Sequence, residues 1–272
     1  MSADDLKQNI VNTFELVAGV YDGPAQRHFI FAADQMVEMA KPGFDERVLD
    51  IATGTGHAAI AAAHYVGGAR RVHAIDLSRN MLAQAKKKCE HLGVFNIDFF
   101  EMDAENLEFK DDYYDIILCS FGLFFVNDIA KTLQGWKRVL KTGGRVVFTT
   151  FTTNAFKPYI ESFTNAMESF GVTIDSERFG RLNDTGKCRT VLSEAGFSDI
   201  RTETRQLGFH LKDENDWWEI IESSGLRGYI EQLDSDKLAE FKERHLAEIA
   251  KHKTGKGLWL DVEVIFSVGV AT

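Results

Sequence analysis

The stretch Val48 to Ala62, VLDIATGTGHAAIAA, constrains this chain more than any other. Val48 to Ile51 reads as a short strand, Ala58 to Ala63 as an alanine-rich helix, and Thr53, Gly54, Thr55 and Gly56 lie between them. Strand, tight turn and helix in that order leave unpaired N–H groups pointing outward at the helix N-terminus. Glycine permits the torsions of such a turn and, lacking a side chain, lets an anionic group touch the main chain there. The usual G-x-G-x-x-G pattern is incomplete: Ala52 holds its first position and the third glycine is missing, which argues against a dinucleotide pyrophosphate. By itself such a turn also serves pure structure, so the spacing of the later strands and carboxylates decides.

Val72 to Asp76 predicts a second strand ending in a carboxylate, 20 residues beyond Gly56. An acidic residue there is placed to accept hydrogen bonds from both hydroxyls of a ribose. Its structural alternative is a helix cap, for which Ser78 is the better candidate. Ile97 to Met102 predicts a third strand closing on Asp103, whose carboxylate could accept the exocyclic amine of an adenine lying beside Ala104. Tyr114 to Ser120 is nearly continuous in apolar residues, as a strand buried on both faces requires. The next cluster, Phe121 to Phe125, is either core under the following helix or the wall of a pocket. A helix over about 128 to 140 and a strand from Arg145 to Phe151 complete five strands alternating with helices. That alternation predicts a doubly wound parallel α/β sheet, in which the glycine turn, Asp76 and Asp103 all fall on the carboxyl edge where such sheets bind ligands.

Before the first strand, residues 5 to 40 form helical patterns broken at Gly19 and Gly23-Pro24, either a cap over a pocket or packing outside the sheet. Beyond the fifth strand, Phe156, Tyr159, Ile160, Phe163, Met167 and Phe170 make a helical stripe expected to cap the ligand edge. The remaining chain predicts helices at Trp217 to Ile221 and Leu238 to Lys251, a strand from about Ile200, and a final alternating strand from Leu260 to Val270.

Bulk properties narrow the partners. With 31 Lys and Arg against 41 Asp and Glu, the net charge of −10 disfavours a nucleic-acid backbone. Cys89, Cys119 and Cys188 are odd in number and widely spaced, which predicts neither a disulfide framework nor a metal site and suits a reducing cytoplasm. MSADDLKQNI lacks the form of a signal peptide, and the longest largely apolar run, Ile116 to Val126, is about half a membrane span.

In order and spacing, VLDIATGTG, AIDLSRNML, FFEMDAENL, YYDIILCSFGL and WKRVLKTGGRVVF resemble the successive segments of class I S-adenosylmethionine-dependent methyltransferases, over nearly the whole chain. DIATGTG, LSRNML and the GVYD near the N-terminus are most similar to the ubiquinone/menaquinone biosynthesis type. Two departures stand out: Ala52 replaces the commonest first glycine, and His57 stands where quinone-type members often carry aspartate.

The resemblance implies a Rossmann-like methyltransferase fold: a mostly parallel seven-stranded sheet with an antiparallel last strand and helical lid elements. Residues 1–272 would form one domain, with an N-terminal helical cap (1–42), a cofactor-binding core (43–151), a lid insertion (152–190) and the rest of the sheet with its helices (191–272). It further implies that the Gly54 to Gly56 turn receives the methionine end of S-adenosylmethionine, with Ala52 and Thr53 also binding the cofactor, that Asp76 takes its ribose, and Asp103 with Ala104 its adenine. Ser120 would lie near the methionine part, and Leu77 and Met81 would pack on the adenosine. Tyr21 would close over the cofactor, and Asp50 would support the loop or reach the cofactor amine through water.

The expected reaction is in-line methyl transfer to a small acceptor. Phe124, Phe125, Phe151, Phe156, Tyr159 and Trp217 suggest a flat or apolar one, although a cap core gives the same composition. If a base is needed, His28 is the nearest candidate, with His57 and His210 behind it. The alternatives are a nicotinamide-dependent oxidoreductase, a cofactor-binding sensor or inactive partner subunit, and a non-methylating enzyme using the same cofactor.

Overall fold

A computed structural model of the chain describes residues 3–68 and 70–272. Met1 and Ser2, at the head of the stretch read for a signal peptide, and Ala69, inside the Gly67 to Arg71 turn, lie outside the described residues. The first half comprises α1 (Ala3–Val17), α2 (Arg27–Ala40), β1 (Val48–Ile51), α3 (His57–Val66), β2 (Val72–Asp76), α4 (Arg79–Leu92), β3 (Ile97–Glu101), β4 (Tyr114–Ser120), α5 (Ile129–Val139) and β5 (Leu140–Phe151). The second comprises α6 (Tyr159–Ser169), α7 (Ser176–Gly180), α8 (Thr185–Glu194), β6 (Phe197–Gln206), β7 (Phe209–Leu211), α9 (Glu214–Glu222), α10 (Arg227–Ile230), α11 (Ser235–Ala250), β8 (Leu258–Leu260) and β9 (Glu263–Ala271).

Seven strands form one sheet in the order β3-β2-β1-β4-β5-β9-β6. β1 to β5 run parallel, and β9 is antiparallel to both its neighbours. The chain reverses direction across the sheet at β1 and β4, which opens a crevice at their carboxyl ends. Every residue of β1 is buried, as a central strand covered by helices on both faces requires. Edge strand β6 instead exposes Arg201 and Glu203, charges that discourage pairing with another sheet. Ser78 caps α4 by accepting the Met81 N–H at 3.1 Å, which leaves Asp76 free for other bonds.

Two sequence expectations are corrected. The final strand starts at Glu263 and does not alternate in burial, because it lies between β5 and β6 with both faces covered; Leu258 to Leu260 instead pairs with β7 in a separate ribbon. The apolar stripe of α6 packs on α9 and α11, with Phe163 against Phe241 (5.6 Å between ring centres) and Tyr159 against Trp217 (5.6 Å). Aromatic burial between helices takes up that stripe, and none of it lines the cavity at the ligand edge.

Candidate active site

Three carboxylates hold the glycine loop. Asp50, on β1, accepts the Thr53 hydroxyl at 2.5 Å; Asp76, at the end of β2, accepts the Gly54 N–H at 2.8 Å; Asp22, between α1 and α2, accepts the Thr55 hydroxyl at 2.6 Å. Burial pushes the Asp50 carboxyl up to about 7 against the bonds it accepts from the Thr53 hydroxyl and the Ala59 N–H. Burial likewise raises Asp76, although its Oδ1 takes the Ser78 N–H at 2.9 Å. Burial opposes ionisation of Asp22 too, but bonds from His57, Lys88 and Thr55 outweigh it and hold this carboxyl well below the usual range.

The loop lies against a cavity that opens to solvent. At Gly54, with φ +55°, no atom lies within 4 Å of where a Cβ would stand, so the space reaches the main chain. Ala52 and Phe121, neither of them glycine, take φ of 54° and 55° beside it, torsions that hold a cost and concentrate at functional sites. Asp103 lies at the far end of the loop's wall, where Lys7 reaches its Oδ2 at 2.8 Å and Glu105 at 2.5 Å. Burial opposes ionisation there as well, yet Lys7 with the Glu105 N–H and Asn106 holds Asp103 below its usual range. The Ala104 carbonyl accepts the Trp136 indole N–H at 2.8 Å, which fixes this turn to α5.

The structure brings together Tyr21, Ala52, Gly54, Asp76, Leu77, Met81, Asp103, Ala104, Ser120 and Phe125 on this cavity. Thr53 and Asp50 are buried and do not line the cavity. Gly56, at φ +87°, turns the chain into α3, and a Cβ there would approach that of Ala85 to 3.1 Å. Phe124 is buried and packs on Phe125 and Phe179; Phe151 stacks on the cavity residue Phe121 at 4.2 Å.

Trp217 requires correction as a pocket residue. It is wholly buried between helices, and its indole N–H donates to His245 Nε2 at 2.9 Å. His28 does not reach the cavity either: it is 1% exposed, with ring contacts to Phe29, Phe151, Phe156 and Phe209. Burial pushes this imidazole down to about 3, so it is neutral. His57 is bonded to Asp22, and the backbone carbonyl of His210 accepts from Arg27. Among the described residues, no histidine lines the cavity.

The sequence offered the helices before β1 as a cap over a pocket or as packing, without naming the residues of α1 that line the cavity. Lys7, Ile10, Val11 and Phe14 come from a single face of α1 and close the cavity from above. Their spacing of three, four and seven was the available signal, since those positions share a helix face. No residue of 152–190 lines the cavity; Arg178 and Arg181 act from outside, donating to the carbonyls of Phe125 and Val126 at 2.6 Å each and so holding the turn that presents Phe125.

A seven-stranded sheet of this order, with a glycine loop and strand-end carboxylates around one crevice, defines a Rossmann-like methyltransferase. Residues 5–209 match the model of the ubiE/COQ5 methyltransferase family, and the chain belongs to that family. It is an S-adenosylmethionine-dependent methyltransferase, which decides against the nicotinamide alternative. A ubiquinone/menaquinone biosynthesis C-methyltransferase from Francisella philomiragia is 31% identical over 215 residues, 72% of this chain and 86% of its own length. The aklanonic acid methyltransferase DauC of a Streptomyces species is 31% identical over 149 residues, 55% of this chain and 68% of its own. The crystal structure of YcgJ from Bacillus superposes with a TM-score of 0.60 at 21% identity, covering 88% of this chain and 97% of that one.

Proposed function

We propose that this methyltransferase acts on a small, flat, apolar acceptor of phenolic or quinol type. The observation that carries the proposal is the ring wall of the cavity. Phe14 meets Phe125 edge-on at 5.4 Å, Tyr21 stacks on Phe29 at 5.1 Å, and Phe29 meets Phe121 at 5.3 Å, with Phe151 stacked behind. Such a wall excludes water and offers ring faces to a flat partner. Two relatives have aklanonic acid or ubiquinone/menaquinone biosynthesis in their names, which supports the same class. The net charge of −10 supports a small molecule over nucleic acid, and three buried free cysteines suit a reducing cytoplasm.

The residues fit S-adenosylmethionine: a loop open to its main chain, Asp76 for the ribose, and Asp103 with Ala104 for the adenine. Leu77 and Met81 would pack on the adenosine, and Ala52, Gly54 and Ser120 would face its methionine part. Asp50 would hold the loop through Thr53, and Gly56 would let it turn. When bound, the cofactor supplies a sulfonium methyl whose carrier leaves as a neutral thioether. The acceptor's proton goes to bulk water as it enters ionised, and the chain's own work is then to align the acceptor anion and shield it, through Phe14, Tyr21, Phe121 and Phe125. We read His28 as a core residue of this wall and assign it no proton transfer.

Titration calorimetry with S-adenosylmethionine, S-adenosylhomocysteine and NAD tests the cofactor site; the first two should bind at micromolar concentration and NAD should not. Turnover with 1-naphthol and 1,4-naphthohydroquinone should exceed that with imidazole or thiophenol. Transfer to imidazole alone would overturn the acceptor class.

A further inference from the structure

We propose that Asp22 is a positioning residue for the transfer reaction: it latches the segment carrying Tyr21 onto the outer side of the glycine loop and so governs how long the cofactor stays in the cleft. The proposal rests on S-adenosylmethionine occupying the cavity as described above.

Tyr21 and Asp22 are neighbours in the connection between α1 and α2, but they serve opposite sides of one structure. Tyr21 lines the cavity. Asp22 joins the loop from outside, where its Oδ1 accepts the Thr55 hydroxyl at 2.6 Å and His57 Nε2 at 2.8 Å. Its Oδ2 pairs with the Lys88 ammonium at 2.7 Å, and Lys88 also donates to Thr55 Oγ1 at 3.1 Å. Thr55 and His57 flank Gly56, and Lys88 comes from α4, so one carboxylate ties three separate stretches around the turn. A lone surface ion pair contributes little. Here several donors converge on a single carboxylate, the arrangement in which charge-assisted bonds fix geometry.

The apolar packing of the cap explains why a polar latch matters. Apart from Tyr21 stacking on Phe29 and Phe14 meeting Phe125, the cap rests on a small cluster separate from the main core, made of Val17, Ala18 and Met81 with Phe14 and Tyr21 against them. A segment resting on few apolar contacts opens more readily than the core does. Closure of Tyr21 over the cleft therefore leans on Asp22.

The test is the dissociation rate of S-adenosylhomocysteine, followed by stopped-flow intrinsic fluorescence; of the four tryptophans, Trp136 is the reporter at the site, its indole bonded to Ala104 on the cavity wall. Asp22→Asn and Lys88→Met should each release it about tenfold faster, the scale of one hydrogen bond to a charged group, and the double variant should be little faster than either. In a Tyr21→Ala background, Asp22→Asn should have no further effect, because the latch acts through Tyr21. Unchanged release in a folded Asp22→Asn variant, or an undiminished effect without Tyr21, overturns the latch. Failure of the wild-type protein to bind S-adenosylhomocysteine overturns the cofactor assignment on which it rests.

Discussion

The methyl group of Ala52 occupies the space that Gly122 leaves empty: a Cβ on Gly122 would stand 2.6 Å from the Cβ of Ala52 and 2.9 Å from Cys119 Sγ. Ala52 sits in the left-handed region at φ 54°, at the position where the common pattern has glycine. The alanine is tolerated because its partner across the loop has no side chain.

Gly122→Ala should therefore destabilise the protein by about 1–3 kcal/mol through overpacking and weaken cofactor binding by displacing the loop. Ala52→Gly in the same chain should recover part of the loss, the close approach to Cys119 Sγ remaining. Chemical denaturation of the single and double variants measures both; equal stability of Gly122→Ala and wild type would show that the contact relaxes freely.

Asp76→Ala removes the acceptor for the Gly54 and Ser78 amides together with the proposed ribose ligand. Cofactor affinity should fall by about 1.5–3 kcal/mol, the worth of hydrogen bonds to a charged group. Calorimetry that finds the affinity unchanged in a folded variant removes Asp76 from the site.

His28→Phe should keep turnover within about threefold of wild type, as expected of a ring replaced among rings. A loss of two orders of magnitude would instead make His28 the base. The same variant carries a pH signature. The folded imidazole is held at about 3, below its ordinary 6.5, so the unfolded chain takes up a proton as pH falls below about 6.5 while the native chain does not. Wild-type stability is therefore lost on the acid side, and the variant should gain relative to it by about 1.4 kcal/mol per pH unit from pH 6.5 towards 4. Parallel stability curves would place the histidine in contact with water.

Trp217→Phe leaves His245 Nε2 without its donor inside the helical layer. Stability should fall by about 1–3 kcal/mol, the cost of an unsatisfied buried group, while turnover stays within about twofold because Trp217 is remote from the cavity. A change confined to the acceptor KM would return Trp217 to the substrate pocket.

What the sequence determined by itself was the carboxyl edge of the sheet. A residue at the end of a parallel strand has its place set by the strand-helix alternation, so Gly54, Asp76 and Asp103 could be assembled from spacing before any contact was known, while Ser120 came only with the family resemblance. The tertiary structure alone decided the contacts that no local period encodes. Trp217 and Phe125 are both aromatic and both apolar in pattern, yet one fills a helix interface and the other walls the cavity. Lys7 meets Asp103 across 96 positions and Asp22 meets Thr55 across 33. Burial and distance in three dimensions, which set solvation and hydrogen bonding, are properties of the packed chain. For the same reason a histidine that composition offered as a base is, once folded, a neutral ring walled in by phenylalanines.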